Sequence, residues 1–313
     1  MDVGSQSKVS PESPIDLQVQ RRIVDIGRLV SLPSTTFKLL NLLMEENTSA
    51  RDLEKLLTQD PSLAAKVISL SNSALYSVRE PVSTVARAIT IIGFEELQNL
   101  ALGLGLSDTF DLSSSPHGFD VKALWTHSMA VSWIARVLAE QTSAADPSEA
   151  MVGGLLHELG IIILVSKFPV HFQQLNDLVN SGLSLKEAEN ILGLRHEVIG
   201  YHLARNWNLP QVFQDVILYH HDYEISGQNV KIATLVSLAD NLAHKSGFIL
   251  KLEHMEINLS NILKILNVDT EKLQNIVKFI LINIHKAEQS WLSFLETSKI
   301  KPKKASLSSL ITQ

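Results

Sequence analysis

Apolar residues along most of this chain recur at intervals of three, four and seven, the spacing that places them on one face of an α-helix. Leu39, Leu42 and Leu43, for example, precede the polar stretch at residues 45–47. Alternating apolar and polar runs bounded by tight turns, which indicate β-strands, are scarce. The pattern therefore predicts an all-α protein.

Helix-start signals support this prediction. Each pairs a side-chain acceptor with the amides that the first turn of a helix leaves without helical partners. They occur at residues 48–52, 60–61, 81–83, 146–149 and 184–187, and the first glycines after two of them, Gly93 and Gly193, predict helix ends. Asn72 is expected to close the helix that follows Asp60, because asparagine tolerates the left-handed conformation. Capping is favoured over a partner-binding surface for these residues.

A polar stretch with proline and glycine, Ser107–Phe119, is the best candidate for a boundary or a long connection. It divides the chain into an N-terminal helical lobe at residues 19–110 and a second helical lobe at residues 111–290. The second lobe includes C-terminal helices near 259–267 and 269–296. We expect a flexible tail at residues 1–18 and a loose tail at 291–313, since both are polar or charged.

Composition narrows the function classes. The 313 residues include 45% hydrophobic and 19% charged side chains, as is ordinary for a folded soluble protein. The net charge of −6 disfavours nucleic-acid binding. The absence of cysteine excludes disulfides and thiolate chemistry and fits a reducing compartment. Neither a signal peptide nor an apolar run long enough to span a bilayer is evident. We expect a cytoplasmic protein with no membrane or nucleic-acid partner.

The candidate chemistry lies in the histidines, of which all but one of the eleven occur at or after residue 127. Several stand beside carboxylates and within apolar helical segments: His127, His157-Glu158, His196, His220-His221 and Asp240. Imidazole and carboxylate are the usual ligands of zinc, iron and manganese. Two interpretations stay open at this point. The groups are either hydrogen-bonded structural residues or a metal site that lowers the pKa of a bound water.

The order of these residues resembles that of the HD superfamily of metal phosphohydrolases, and the wider sequence is similar to the HDOD branch of that superfamily. The similarity covers about residues 25–245. The matching motifs are Leu32-Pro33, 39–44, 59–66, 71–74, 88–93, 124–128, 153–160, 207–210 and 219–221. The resemblance implies an HD-like helical bundle as the C-terminal lobe and one or two divalent ions of iron, manganese or zinc. The implied ligands are His127, His157, Glu158, His196, His220, His221 and Asp240.

The resemblance also implies a function. HDOD proteins resemble regulatory modules of bacterial signal transduction, so the expected partners are signalling proteins or a small effector. Relatives with the HD-GYP signature hydrolyse cyclic di-GMP at two or three metal ions. A metal-dependent phosphohydrolase acting on a nucleotide or cyclic dinucleotide is therefore the alternative.

Four departures from the active relatives favour a module with weak or no catalysis. Glu158 replaces an aspartate, which moves the carboxylate by ~1.5 Å. Ile161 replaces a lysine that would contact phosphate, and no Gly-Tyr-Pro element follows His221. Ala123 replaces a glutamate ligand of the trinuclear relatives, so a third ion is not expected. No residue is assigned a catalytic role, and His117, His171, His244, His254 and His285 are assigned no function.

Overall fold

The computed structural model describes residues 34–43, 45, 48–73, 76, 78–109, 119–225, 227–250, 252 and 257–297. Every regular element in these ranges is a helix, which confirms the all-α prediction. The elements in chain order are α1 (Ser34–Leu43), α2 (Ala50–Thr58), α3 (Pro61–Ser71), α4 (Val85–Ile92), α5 (Phe94–Thr109), α6 (Val121–Thr142), α7 (Pro147–Leu156), α8 (Leu159–Lys167), α9 (Pro169–Asn180), α10 (Leu185–Leu192), α11 (His196–Asn206), α12 (Gln211–Tyr219), 3-10 turns Tyr223–Ile225 and Gly227–Asn229, α13 (Val230–Lys245), α14 (Leu259–Leu266) and α15 (Thr270–Thr297).

The capping signals at 48–52, 60–61, 146–149 and 184–187 form as predicted, whereas α4 is capped by Thr84, one residue after the signal at 81–83. The Asp146 carboxylate accepts hydrogen bonds from the backbone amides of Ser148 and Glu149 at 2.8 and 3.0 Å, which starts α7. Ser184 and Glu187 make a reciprocal capping box at the start of α10, and that helix ends at Gly193 in the left-handed conformation. Local sequence therefore sets these helix boundaries.

Asn72 closes α3 in a different way from the prediction. Its backbone is right-handed, with φ −89°, so the expected left-handed ending is wrong. Its side chain instead accepts from the Val82 amide at 2.7 Å and donates to the Val82 carbonyl at 2.8 Å. These two bonds tie the end of α3 to the segment that leads into α4.

Helix α6 lies at the centre of the fold and packs against α7, α13 and α15. Helix α11 packs against α8 and α12, and α12 and α13 both contact α7. The helices α1–α5 pack on one another, and α15 reaches them through α3 and α5. The buried apolar residues form one cluster from Leu39 to Ile284. This cluster crosses the expected boundary between the two lobes.

The predicted segment limits differ at two places. Helix α5 continues to Thr109, inside the expected connection at 107–119, and α15 matches the expected helix at 269–296 and extends into the expected tail at 291–313. The tail at residues 1–18, the remainder of the C-terminal tail from 298, and most of the connection, 110–118, lie outside the described residues.

The apolar helical segment that carries His157 and Glu158 is divided between two helices. The helix α7 ends at Leu156 and α8 begins at Leu159, with a turn at the two polar residues. The whole stretch Pro147–Lys167 is long and apolar enough to cross a bilayer, which the sequence analysis did not anticipate. Its most apolar window has a mean hydropathy of 1.6 and is 89% buried, as in the core helix of a soluble protein.

Candidate metal centre

The fold brings the predicted site residues together from five places in the chain. Helix α6 contributes one histidine, the α7–α8 turn a histidine and a glutamate, the start of α11 one histidine, the end of α12 a histidine pair, and α13 an aspartate. In that order they are His127, His157, Glu158, His196, His220, His221 and Asp240.

One group of donors consists of His127, His157 and Asp240. The Nε2 atom of His127 lies 3.3 Å from Nε2 of His157 and 3.1 Å from Oδ1 of Asp240. Donor atoms that bind one zinc ion at about 2.1 Å lie ~3.0–3.4 Å apart when they are neighbours around the ion. Both distances from His127 therefore fit neighbouring ligands of one divalent ion.

The other ring nitrogen of each histidine in the first donor group fixes its tautomer. His127 Nδ1 lies 2.9 Å from the carbonyl of Phe248, and His157 Nδ1 lies 2.7 Å from the carbonyl of Gly154. A carbonyl oxygen only accepts, so both Nδ1 atoms donate and both Nε2 atoms are left with a lone pair. Both the His157 lone pair and Asp240 Oδ1 lie within 3.3 Å of the His127 lone pair, and a cation, either a metal ion or a proton on Nε2, relieves the repulsion. A metal ion serves three acceptors at once, whereas a proton serves two.

A second donor group consists of His196, His220 and His221. The Nε2 atoms of His196 and His220 lie 3.4 Å apart, and His220 Nδ1 lies 2.9 Å from the carbonyl of Ile217. The His221 ring is centred 4.0 Å from that of His220 and is half-buried. One donor atom from each of the three histidines lies within 4.8 Å of the others.

Glu158 lies between the two donor groups. Its Oε1 atom is 3.9 Å from Nε2 of His157, and its Oε2 atom is 3.8 Å from Nε2 of His196. The carboxylate therefore presents one oxygen to each group. The side chain, longer than that of aspartate, thus keeps its carboxylate within 4 Å of a histidine of each group.

Carboxylates behind His196 orient its ring. Glu189 Oε1 lies 2.7 Å from His196 Nδ1 and accepts the His196 backbone amide at 2.9 Å. Burial raises the pKa of Glu189, while His196 opposes that rise. Glu197 lies 3.5 Å from the same ring nitrogen and pairs with Arg195 at 2.7 Å. Burial raises the pKa of Glu197, but His196 and Arg195 outweigh it and lower the pKa to about 2.

Two glycines of the motif at residues 153–160 allow the backbone to approach closely here. A Cβ at Gly160 would overlap the carbonyl of His196, and a Cβ at Gly154 would lie 2.8 Å from the Cα of Ser132. Gly160 thus lets the start of α8 contact the start of α11, which brings Glu158 close to His196. Gly154 lets α7 contact α6, which brings His157 close to His127.

The donors are almost fully enclosed. Asp240 is 1% exposed, and the other carboxylate and the histidines of the site, apart from the half-buried His221, are 0% exposed. Burying this many polar groups together is costly unless they are paired or bind an ion. The residues present therefore fit one or two divalent ions, since imidazole and carboxylate are the usual ligands of zinc, iron and manganese.

Sequence reasoning missed two neighbours of the site. His244 was assigned no function, yet its Nε2 atom lies 3.5 Å from Oδ1 of Asp240. Glu189 was not singled out, although it contacts His196. The four-residue step from Asp240 to His244 on a predicted helix was the available signal for the first. No comparable signal marks Glu189, because it lies on a different helix from His196.

A family model described as the HDOD domain matches residues 29–223 of this chain. An uncharacterized protein of Treponema pallidum (strain Nichols) is 26% identical over 204 residues, which is 64% of this chain. This chain spans only 38% of the length of that relative.

Two solved structures resemble the fold. One, from Marinobacter aquaeolei VT8 and provisionally named a signal transduction protein, has a TM-score of 0.75 at 23% identity and covers 89% of this chain and 66% of its own. The other, from Shewanella amazonensis SB2B and provisionally named a phosphohydrolase, has a TM-score of 0.69 at 21% identity and covers 91% of this chain and 100% of its own. At these identities the two structures support the fold alone.

Proposed function

Since this chain belongs to the HDOD domain family, we propose that it is a regulatory module of bacterial signal transduction that retains an HD-like metal site and has weak or no catalytic activity. The observation that carries the proposal is the enclosed convergence of donors around Glu158. The donors are spaced to hold ions, and they are buried too deeply for a nucleotide to reach them in this conformation.

The roles of the residues follow from the two donor groups. His127, His157 and Asp240 would hold one ion, and His196, His220 and His221 would hold another, with Glu158 between them. Bound divalent ions supply positive charge and Lewis acidity at this place. The backbone carbonyls of Phe248, Gly154 and Ile217 hold the rings of three of these histidines. Glu189 holds the ring of His196.

The surroundings of the donors support a regulatory role more than turnover. Ile161, where active relatives carry lysine, is completely buried and apolar, so it offers no cation to a phosphate. Enclosed sites with no open ligand position are typical of structural metal centres. In the proposed role, occupancy of the site stabilises the arrangement of α6, α8, α11 and α13. Partner proteins or a small effector would then recognise that arrangement in the cytoplasm.

The metal content of the purified protein tests this proposal. Elemental mass spectrometry of the wild type should give one or two equivalents of iron, manganese or zinc, and His157→Ala should lose at least one. His171→Ala is the matched control, because His171 lies on α9 and in none of the donor groups. A wild type that carries no metal and cannot be loaded would contradict the proposal and leave His127 and Asp240 as a hydrogen-bonded ion pair.

A metal-dependent phosphohydrolase is the second candidate function. The half-buried His221 favours it, because this ring leaves one side of the second donor group nearer to solvent than the first. Saturable hydrolysis of a cyclic dinucleotide or nucleotide by the metal-loaded protein, abolished by His220→Ala, would support this candidate. Absence of turnover in a fully loaded protein would support the regulatory module.

A further inference from the structure

We infer that His244 supplies an additional nitrogen ligand to the ion of the first donor group, and thereby occupies a coordination position that a hydrolytic centre leaves to water. The inference rests on the proposed function, because it requires that the site binds metal. It concerns whether the bound ion keeps a coordination position for water.

The helix α13 places His244 and Asp240 on the same face, since they are four residues apart. The Nε2 atom of His244 lies 3.5 Å from Oδ1 of Asp240, and the His244 ring is centred 4.9 Å from the ring of His127. Donor atoms of His127, Asp240 and His244 all lie within 4.8 Å of one another. His244 therefore adjoins the first donor group directly.

The distance between His244 and Asp240 distinguishes two roles. A charge-assisted hydrogen bond between imidazole and carboxylate would bring the two atoms to about 2.7–2.9 Å. The observed 3.5 Å is instead close to the separation of two neighbouring ligands of one ion. The same reasoning applies to the 3.1 Å between His127 and Asp240, which lies at the short end of that range.

The position of His244 also has a consequence for access. Its side chain is 11% exposed, whereas those of His127, His157 and Asp240 are at most 1% exposed. His244 is thus the member of this group nearest to solvent, and a molecule approaching from that side meets its imidazole first.

Catalytic zinc sites typically combine three protein ligands with one water. His127, His157, Asp240 and Glu158 already supply four donors, and His244 adds a fifth.

Cobalt-loaded protein provides the test, because the visible spectrum of Co²⁺ depends on the number and type of its ligands. The wild type, His244→Ala and His244→Gln are each loaded with Co²⁺, with His171→Ala as the control. Azide is then added to probe for an open coordination position. We expect a shifted cobalt spectrum in both His244 variants and an azide-induced change that is larger in His244→Ala than in the wild type. His171→Ala should match the wild type.

The outcomes distinguish a failure of the metal site from a failure of the ligand role of His244. If the wild type binds no cobalt, the proposed metal site itself is wrong. If the wild type binds cobalt but its spectrum and its azide response equal those of His244→Ala, only the ligand role of His244 is wrong. Circular dichroism and a thermal melt check that each variant is folded. The glutamine variant keeps most of the side-chain volume, so a fold defect in the alanine variant does not end the test.

Discussion

The Nε2 atoms of His127 and His157 face each other at 3.3 Å, although both histidines already donate their Nδ1 hydrogens to backbone carbonyls. Neither Nε2 atom then carries a hydrogen to offer the other. A cation at this point, either a metal ion or an added proton on one ring, makes the contact favourable, and Asp240 at 3.1 Å from His127 adds negative charge there.

Removal of metal should therefore destabilise the fold. Because an ion that binds only the folded state stabilises it by mass action, loading at 100 times the dissociation constant adds about 2.7 kcal/mol. We expect chelation to lower the melting temperature of the wild type, as measured by calorimetry with and without EDTA. His157→Ala should respond less to the chelator. Equal responses of the two proteins would contradict an ion at this site.

The two donor groups should be separable by mutation. His127→Ala is expected to lose one metal equivalent and His220→Ala the other, whereas Glu158→Gln should weaken both because its carboxylate faces both groups. Elemental mass spectrometry measures the equivalents. Glu271→Gln, an exposed glutamate in the first turn of α15, is the control. Retention of both ions by Glu158→Gln would show that the carboxylate does not connect them.

Glu189 should act through His196. Replacing an outer partner of a metal-binding histidine typically lowers metal affinity about 10- to 100-fold. We expect Glu189→Gln to lower the affinity for one of the two metal equivalents by this amount, as measured by a metal titration. Glu187→Gln on the same helix is the matched control, because its side chain caps α10 and is exposed. Unchanged metal affinity in Glu189→Gln would mean that the His196 ring is held without the negative charge of Glu189.

Gly160 should be intolerant of any side chain. A Cβ there would overlap the carbonyl of His196, so Gly160→Ala must push α8 and α11 apart, at a cost of at least ~2 kcal/mol in the free energy of unfolding. In Gly153→Ala the added Cβ meets only side chains, that of Val216 at 3.3 Å and that of Val236 at 3.5 Å. That control should change stability by less than ~1 kcal/mol. Denaturant titrations of both variants give the comparison, and similar losses would contradict the close approach.

Much of the helical framework could be predicted because its signals are local. The caps at Asp146 and Ser184 accept hydrogen bonds from amides within three residues, so neighbouring residues in the sequence are enough to predict them. The break between α7 and α8 was not predicted, because every neighbour of His157 and Glu158 is apolar and suits a helix. The turn forms where the two polar side chains meet residues from other helices.

The residues of the candidate site could be predicted from the sequence, but their arrangement in space could not. The resemblance to HD proteins named the donors, and the fold brings them together. The tautomers depend on contacts such as His127 with Phe248, which lies 121 residues away. Such a pairing leaves no periodicity in the sequence. His244 has one local signal, its four-residue step from Asp240, but its importance arises only from the position of Asp240 against His127.

The order of the donors along the chain bears on how the protein is made. The first donor group joins His127 and His157 to Asp240, and that aspartate lies on α13, late in the sequence. During synthesis the first histidines leave the ribosome well before the aspartate does. An ion can therefore be held by the complete group only after α13 has emerged, so we expect metal capture to follow the assembly of the helices around α6 rather than to initiate it.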